Sequence, residues 1–215
     1  GVLFPAFSAY SHSAADKLDR LYNDSIKYLL IIIVPIVTGA IIFAKPFMTL
    51  WLGSDFAENS AIIMQLLAVG VLINALAYSP INAIQALGRP DISAKIHLTE
   101  LPIYLGMLFL LINLFGIVGV AIAWVLRVAL DQLLLTVFYH RINPMAIGKF
   151  ITDKPYIDIL IISSIILAFG ISLLPAFVLK AVLYALLLAL LILLFWKRLI
   201  RIEEKLLIIN LVKNR

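Results

Sequence analysis

An all-α, polytopic transmembrane helix bundle is the fold this chain predicts, and three observations predict it. Of its 215 residues 64% are hydrophobic, its mean hydropathy is +1.10, and apolar runs recur between short polar turns. Runs of about 20 residues match the thickness of a bilayer, and about six complete spans can be laid out. The absence of cysteine excludes disulfides and thiolate metal ligands. The net charge of +5 reads as an orientation signal rather than as affinity for nucleic acid, because the basic residues cluster in short loops beside apolar runs. The chain starts at Gly1 with no signal peptide, which predicts a fragment whose beginning is missing.

The first ten residues, GVLFPAFSAY, are too short to cross a bilayer and resemble the last turns of a helix that does. Asp16, Lys17, Asp19, Arg20, Asp24 and Lys27 then predict an amphipathic connector at the membrane surface. The first span is expected from Ile26 to Ala44, kinked at Pro35 and ended by Lys45-Pro46. Phe47 to Leu52, with Trp51, predicts a short interfacial segment, and Gly53, Ser54 and Asp55 a turn. The second span, Ala57 to Leu87, carries Asn74, Tyr78, Asn82 and Gln85 at helical spacing, a polar stripe suited to a wet cavity or to interhelical hydrogen bonds.

Gly88-Arg89-Pro90-Asp91 closes that helix and opens the next, with glycine in the left-handed region, proline in the first turn and Asp91 as the cap. The third and fourth spans, Asp91 to Asn113 and Gly116 to His140, must be antiparallel neighbours because the turn between them is so short. They also carry charge into the membrane, where an ionisable group by default marks a functional pathway. At ~1.5 Å per residue, Glu100 and Asp131 lie about 14 Å from the same side and Arg127 about 20 Å, so they meet near the bilayer middle. Arg127 and Asp131 can pair at i,i+4, while His97 and Lys95 extend the group toward water; a helix-locking network is the blander reading of the same residues. Gly106, Gly116 and Gly119 suit close helix packing.

Beyond a polar connector with Arg141, Lys149, Asp153 and Lys154, two spans, Tyr156 to Leu174 and Ala176 to Trp196, hold little polar besides Ser163, Ser164, Ser172 and Lys180. They are expected to be more lipid-exposed than the charged pair. The tail from Lys197 to Arg215 predicts a basic amphipathic helix on an anionic leaflet. Lysine and arginine gather on one side, where both chain ends fall; Lys45 and Lys180 fall on the other. The positive-inside rule makes the first side cytoplasmic. No nucleotide-binding, hydrolase or metalloprotease motif occurs, and the three histidines are too far apart in sequence to suggest a metal. Neither enzyme, cofactor nor metal is expected; intramembrane charges without a soluble domain point to a transporter.

LFPAFS, PFMTLWLG, NALAYSPINAIQALGRPDISAKIHLTELPIY and GIVGVAIAWVLRVALDQLLL, in this order over residues 1–142, resemble the bacterial polysaccharide or O-antigen flippases. These Wzx-type members of the MOP superfamily stand beside lipid II flippases and MATE exporters. The resemblance implies two lobes of about six helices that work by alternating access. Residues 1–150 would belong to the C-terminal lobe, with an N-terminal lobe missing, and 151–215 would add two further spans and the tail. It implies a lipid-linked oligosaccharide on a polyprenyl pyrophosphate, moved from the inner to the outer leaflet of the bacterial inner membrane. Lys95 and Arg127 would meet the pyrophosphate, with Arg89 as its first contact, and Asn74, Tyr78, Asn82 and Gln85 the sugars. His97, Glu100 and Asp131 would carry coupling protons or ions. A MATE-like exporter of small organic cations, a membrane enzyme on the same lipid-linked sugar and an inactive structural fragment are the alternatives; short outward loops disfavour the enzyme.

Overall fold

The computed structural model describes Phe7 and residues 15–143, 155–201 and 203–205. Expectations for the rest of the first ten residues, for the connector at 144–154 and for the tail beyond 205 lie outside the described residues. Within them the chain is helical, with no strand, in the order α1 (Ala15–Ile42), α2 (Ala44–Leu52), α3 (Ser54–Ala86), α4 (Pro90–Ile142), α5 (Pro155–Ser172) and α6 (Phe177–Arg198).

α1 sits at the centre. Leu18, Tyr22, Ile26, Leu30, Val34, Val37 and Ile41 recur every three or four residues and are all buried, so they form one continuous stripe. It packs against Leu72, Leu76, Ala83 and Ile84 of α3 and against Ile157, Ile161, Ala168 and Ile171 of α5. The expected surface connector is instead the first turns of this same helix, since nothing between Ala15 and Lys27 breaks it and Leu18, Tyr22 and Ile26 share the buried stripe. α1 also runs through Pro35, whose carbonyl accepts hydrogen bonds from the hydroxyls of Thr38 and of Tyr184 on α6, both at 2.9 Å.

Two glycines set the path. Gly53, at φ +85°, alone turns the chain between α2 and α3; Ser54 and Asp55, expected in the turn, already belong to α3, where an acidic first turn suits the helix dipole. Gly88, at φ +75°, ends α3, and the Gly88 and Arg89 N–H groups return to the carbonyls of Gln85 and Ile84, at 3.0 and 3.1 Å. That pair of bonds is a Schellman closure, and it leaves Pro90 to start α4. Asp91 does not cap this helix as expected: Arg89 holds the cap position without a side-chain bond, and the Asp91 carboxylate is taken by Arg89 and Lys95 at 3.0 and 3.2 Å.

α4 contains 53 residues, too many for a single crossing. At Gly116, with φ 59° and ψ −137°, it breaks into the two antiparallel spans that the sequence predicts. Gly119 lies against Leu111 across this hairpin so closely that a Cβ would fall 1.9 Å from the Leu111 carbonyl oxygen. Of the other glycines expected to pack closely, Gly116 makes the turn and Gly106 has open space around it. Gly70 of α3, whose added Cβ would meet the Trp124 ring, takes that role instead.

The last two spans were expected to be more lipid-exposed than the charged pair, but both pairs carry strongly exposed apolar residues, Leu98, Phe109 and Leu114 in α4 and Ile159, Ile166 and Leu186 in α5 and α6. In the most apolar stretch of each helix 11% is buried in α4 and 17% in α6. α5 and α6 pack on α1. A set of charges reinforces this at one end: Lys27 meets Glu204 at 2.6 Å and Asp24 at 3.2 Å, Arg201 meets Asp24, and the Tyr28 hydroxyl donates to Glu204 at 2.8 Å. Burial raises the Glu204 carboxyl, but the bonds from Lys27, the Arg201 N–H and Tyr28 outweigh it and hold the group at about 2.

Candidate functional site

The hairpin register decides which charges meet. With the turn at Gly116 and contact at Leu111–Gly119, Tyr104 comes opposite Arg127 and His97 opposite Asp131. Arg127 lies over the Tyr104 ring, 5.7 Å from its centre, and makes no ion pair within 4.0 Å among the described residues, so the expected Arg127–Asp131 pair does not form. The His97 Nδ1 is 3.3 Å from an Asp131 oxygen and 3.8 Å from a Glu100 oxygen. Glu100 is only 1% exposed and Asp131 8%, whereas the His97 side chain is 41% exposed. The three therefore connect a buried carboxylate to the surface of the bundle.

Among the described residues neither Glu100 oxygen nor Oδ1 of Asp131 has a well-formed hydrogen bond, His97 Nδ1 standing at 3.3 Å from the latter. A charge that deep without a donor is costly, which makes a proton or a bound cation the natural companion. One ligand atom from each of His97, Glu100 and Asp131 lies within 4.8 Å of the others, close enough to share an ion.

α3 supplies the facing wall. Asn74, Ala77, Tyr78 and Ile81, with His97, Arg127, Val128, Asp131 and Leu135 of α4, line a cleft of about 200 Å³. The cleft brings together five of the sequence-predicted residues: Asn74, Tyr78, His97, Arg127 and Asp131. Glu100 lies directly behind it. Asn82 is turned onto its own helix, donating to the Tyr78 carbonyl at 2.5 Å, and Gln85 is half-buried nearer the Gly88 turn. Lys95 does not extend the charged group toward water: its side chain is 75% exposed and paired to Asp91, which it shares with Arg89. These two cations stand at the rim of the bundle, outside the cleft lining.

Two arrangements were not foreseen. The clamp formed by Lys27, Asp24, Arg201 and Glu204 joins residues about 177 positions apart, and nothing in the local pattern announces it. The other is a cavity at the opposite end, lined by Lys45 and Lys180. A single lysine in the otherwise apolar run of α6 was its only signal.

Fold and site together define a multi-pass membrane protein with a charged cleft between its spans. Residues 1–61 match a family of polysaccharide biosynthesis proteins. The chain is 37% identical over 125 residues, 58% of its length, to a Shigella flexneri protein named as an O-antigen transporter, of which the match covers 30%. It is 26% identical over 133 residues, 61% of its length, to a Haloferax volcanii protein named as a low-salt glycan biosynthesis flippase, of which 28% is covered. The resemblance to polysaccharide and O-antigen flippases read from the sequence is thus shared by a family and by two curated relatives, and the chain spans about a third of their length or less. No solved structure matches.

Proposed function

We propose that this chain is part of a flippase of surface-polysaccharide biosynthesis, which carries a polyprenyl-pyrophosphate-linked oligosaccharide from the inner to the outer leaflet of a bacterial inner membrane. The supporting observation is the cleft itself, where a guanidinium with no ion pair within 4.0 Å among the described residues, two neutral hydrogen-bonding side chains and a histidine–carboxylate group share one opening. Arg127 is suited to a phosphate oxygen in low dielectric, because its fork geometry binds phosphate in two places at once. Asn74 and Tyr78 offer donors and acceptors to sugar hydroxyls, with Asn82 and Gln85 further along the same helix. His97, Glu100 and Asp131 exchange the coupling proton or cation. Arg89 and Lys95, held at the rim by Asp91, make the first contact with the headgroup.

The basic end, with the Gly88 turn and the C-terminus, faces the cytoplasm in this reading. Residues 1–150 form part of a transporter lobe, and 151–215 two additional spans with a basic tail. The exposed outer side of residues 90–115 then faces lipid or the N-terminal lobe of the same protein. Arg127 in the cleft disfavours a small organic cation as cargo.

The test is translocation of lipid-linked oligosaccharide by the complete protein reconstituted in vesicles. Arg127→Ala is expected to reduce the rate at least about tenfold with Arg127→Lys intermediate, as loss of a charge-assisted phosphate contact predicts. Full-rate transport by Arg127→Ala at equal protein level would remove this residue from the path and leave the cleft without its anion partner.

A further inference from the structure

At the end of the bundle away from the Lys27–Glu204 clamp, a cavity of about 970 Å³ opens between α2, the start of α3 and the turn from α5 to α6. Two of its lining groups are cations. Lys180 is only 4% exposed, and its ammonium has no hydrogen-bond or ion-pair partner among the described residues. Lys45, which bonds Glu58 at 3.0 Å and keeps two further donor positions, is close enough to Lys180 to repel it. The Lys180 ammonium, opening into the cavity beside a second positive charge, keeps its donors free for an anion, since Glu58 of the same lining bonds only Lys45.

The surrounding backbone favours the same sign of ligand. α6 begins at Phe177 with no side-chain cap, so its first N–H groups and its dipole add positive potential beside Lys180. Thr49, Gln65 and Ser172 add polar side chains to the lining, donating to the carbonyls of Lys45, Ile41 and Phe169, while Leu50 and Leu173 give it an apolar rim. Leu50, Trp51 and Leu173 are strongly exposed, as suits a membrane surface.

We propose that Lys180 and Lys45 form a binding site for a phosphate group, with Lys180 the inner contact and Lys45 the outer one. The volume exceeds what phosphate alone requires, and the apolar rim suits the glycerol end of a phospholipid headgroup. The site stands independently of the flippase reading, at the other end of the bundle from the cleft.

Native mass spectrometry of the full chain in neutral detergent tests this, with phosphatidylglycerol as the probe, diacylglycerol as its phosphate-free control and inorganic pyrophosphate as competitor. Phosphatidylglycerol is expected to bind at least about tenfold more weakly to Lys180→Met, in keeping with loss of a charge-assisted contact, and little changed to Lys180→Arg. Lys45→Met should weaken it less. Displacement by pyrophosphate would show that the phosphate suffices, and resistance to it that the lipid anchor is needed; either supports the site provided that the lysine dependence holds. Removal of a buried charge leaves an apolar side chain in an apolar place, and an unchanged thermal midpoint of Lys180→Met would confirm that the fold is intact. Equal binding of phosphatidylglycerol by the wild type and Lys180→Met, or no preference over diacylglycerol, would overturn the assignment.

Discussion

Gly119→Ala separates the two spans of α4 where Gly119 lies against Leu111. The new Cβ would lie 1.9 Å from the Leu111 carbonyl oxygen, 2.4 Å from its carbon and 3.1 Å from the Ile112 nitrogen. Carbon–oxygen contacts between packed helices settle at about 3.3 Å, so the backbones must part by roughly 1.4 Å. All three neighbours are main-chain atoms, and no rotamer change can absorb the clash. Overpacking typically costs about 1–3 kcal/mol, and with nothing soft to yield the upper part of that range applies. Gly106→Ala is the matched control, because nothing lies within 4 Å of its added Cβ. There the change should be neutral or stabilising by up to about 1 kcal/mol, since alanine restricts the unfolded chain. Denaturant unfolding in maltoside micelles reads both, and Gly119→Ala should show the lower midpoint. Equal midpoints for the two variants would refute the close approach and, with it, the register that places His97 opposite Asp131.

The turn itself gives a second expectation. Gly116→Ala, forced to φ 59° and ψ −137°, should lose about 1–3 kcal/mol in the same assay without displacing any neighbour. Gly70→Ala drives a methyl to within 2.2 Å of the Trp124 ring; in a Trp51→Phe, Trp196→Phe background it should shift the remaining indole emission and cost about 1–2 kcal/mol. Glu100→Gln removes a carboxylate without a donor, so thermal stability should hold or rise while transport by the complete protein falls; loss of both would identify Glu100 as a structural group instead. The Glu204 clamp should depend on acid. Because its folded carboxyl lies at about 2, below the ordinary value of 4.5, its stabilisation is complete above about pH 4.5 and is lost as pH falls toward 2. A nitroxide on Lys205→Cys should be immobile at neutral pH and gain mobility over that window, and Glu204→Gln should be mobile throughout.

The spans were legible because apolar run length and the glycines at the breaks, Gly53, Gly88 and Gly116, with Pro90 after the second, are local properties of the chain. Level along the hairpin was legible too: helix rise alone brought Glu100 and Asp131 together. What escaped was azimuth. Whether Arg127 turns toward Asp131 or toward Tyr104, and whether Lys95 faces the cleft or the rim, depends on how the hairpin rolls against α3, which no spacing records. The same limit explains Gly106, a packing glycine by sequence that faces open space. It also explains why α5, almost devoid of polar groups, lays only the face of Ile157, Ile161, Ala168 and Ile171 on α1. Long-range pairs such as Lys27–Glu204 had no local trace at all.

One consequence follows from the central place of α1. Its stripe holds α3 on one side and α5 on the other, while Tyr184 and the Glu204 clamp tie α6 and the segment after it to the same helix. Any tilting of α3 and the charged hairpin must therefore proceed by rolling across α1, whereas the final pair of helices travels with it as ballast. In the complete protein, labels on α1 and α6 should keep a fixed separation through the proposed transport cycle, and labels on α1 and α4 should not.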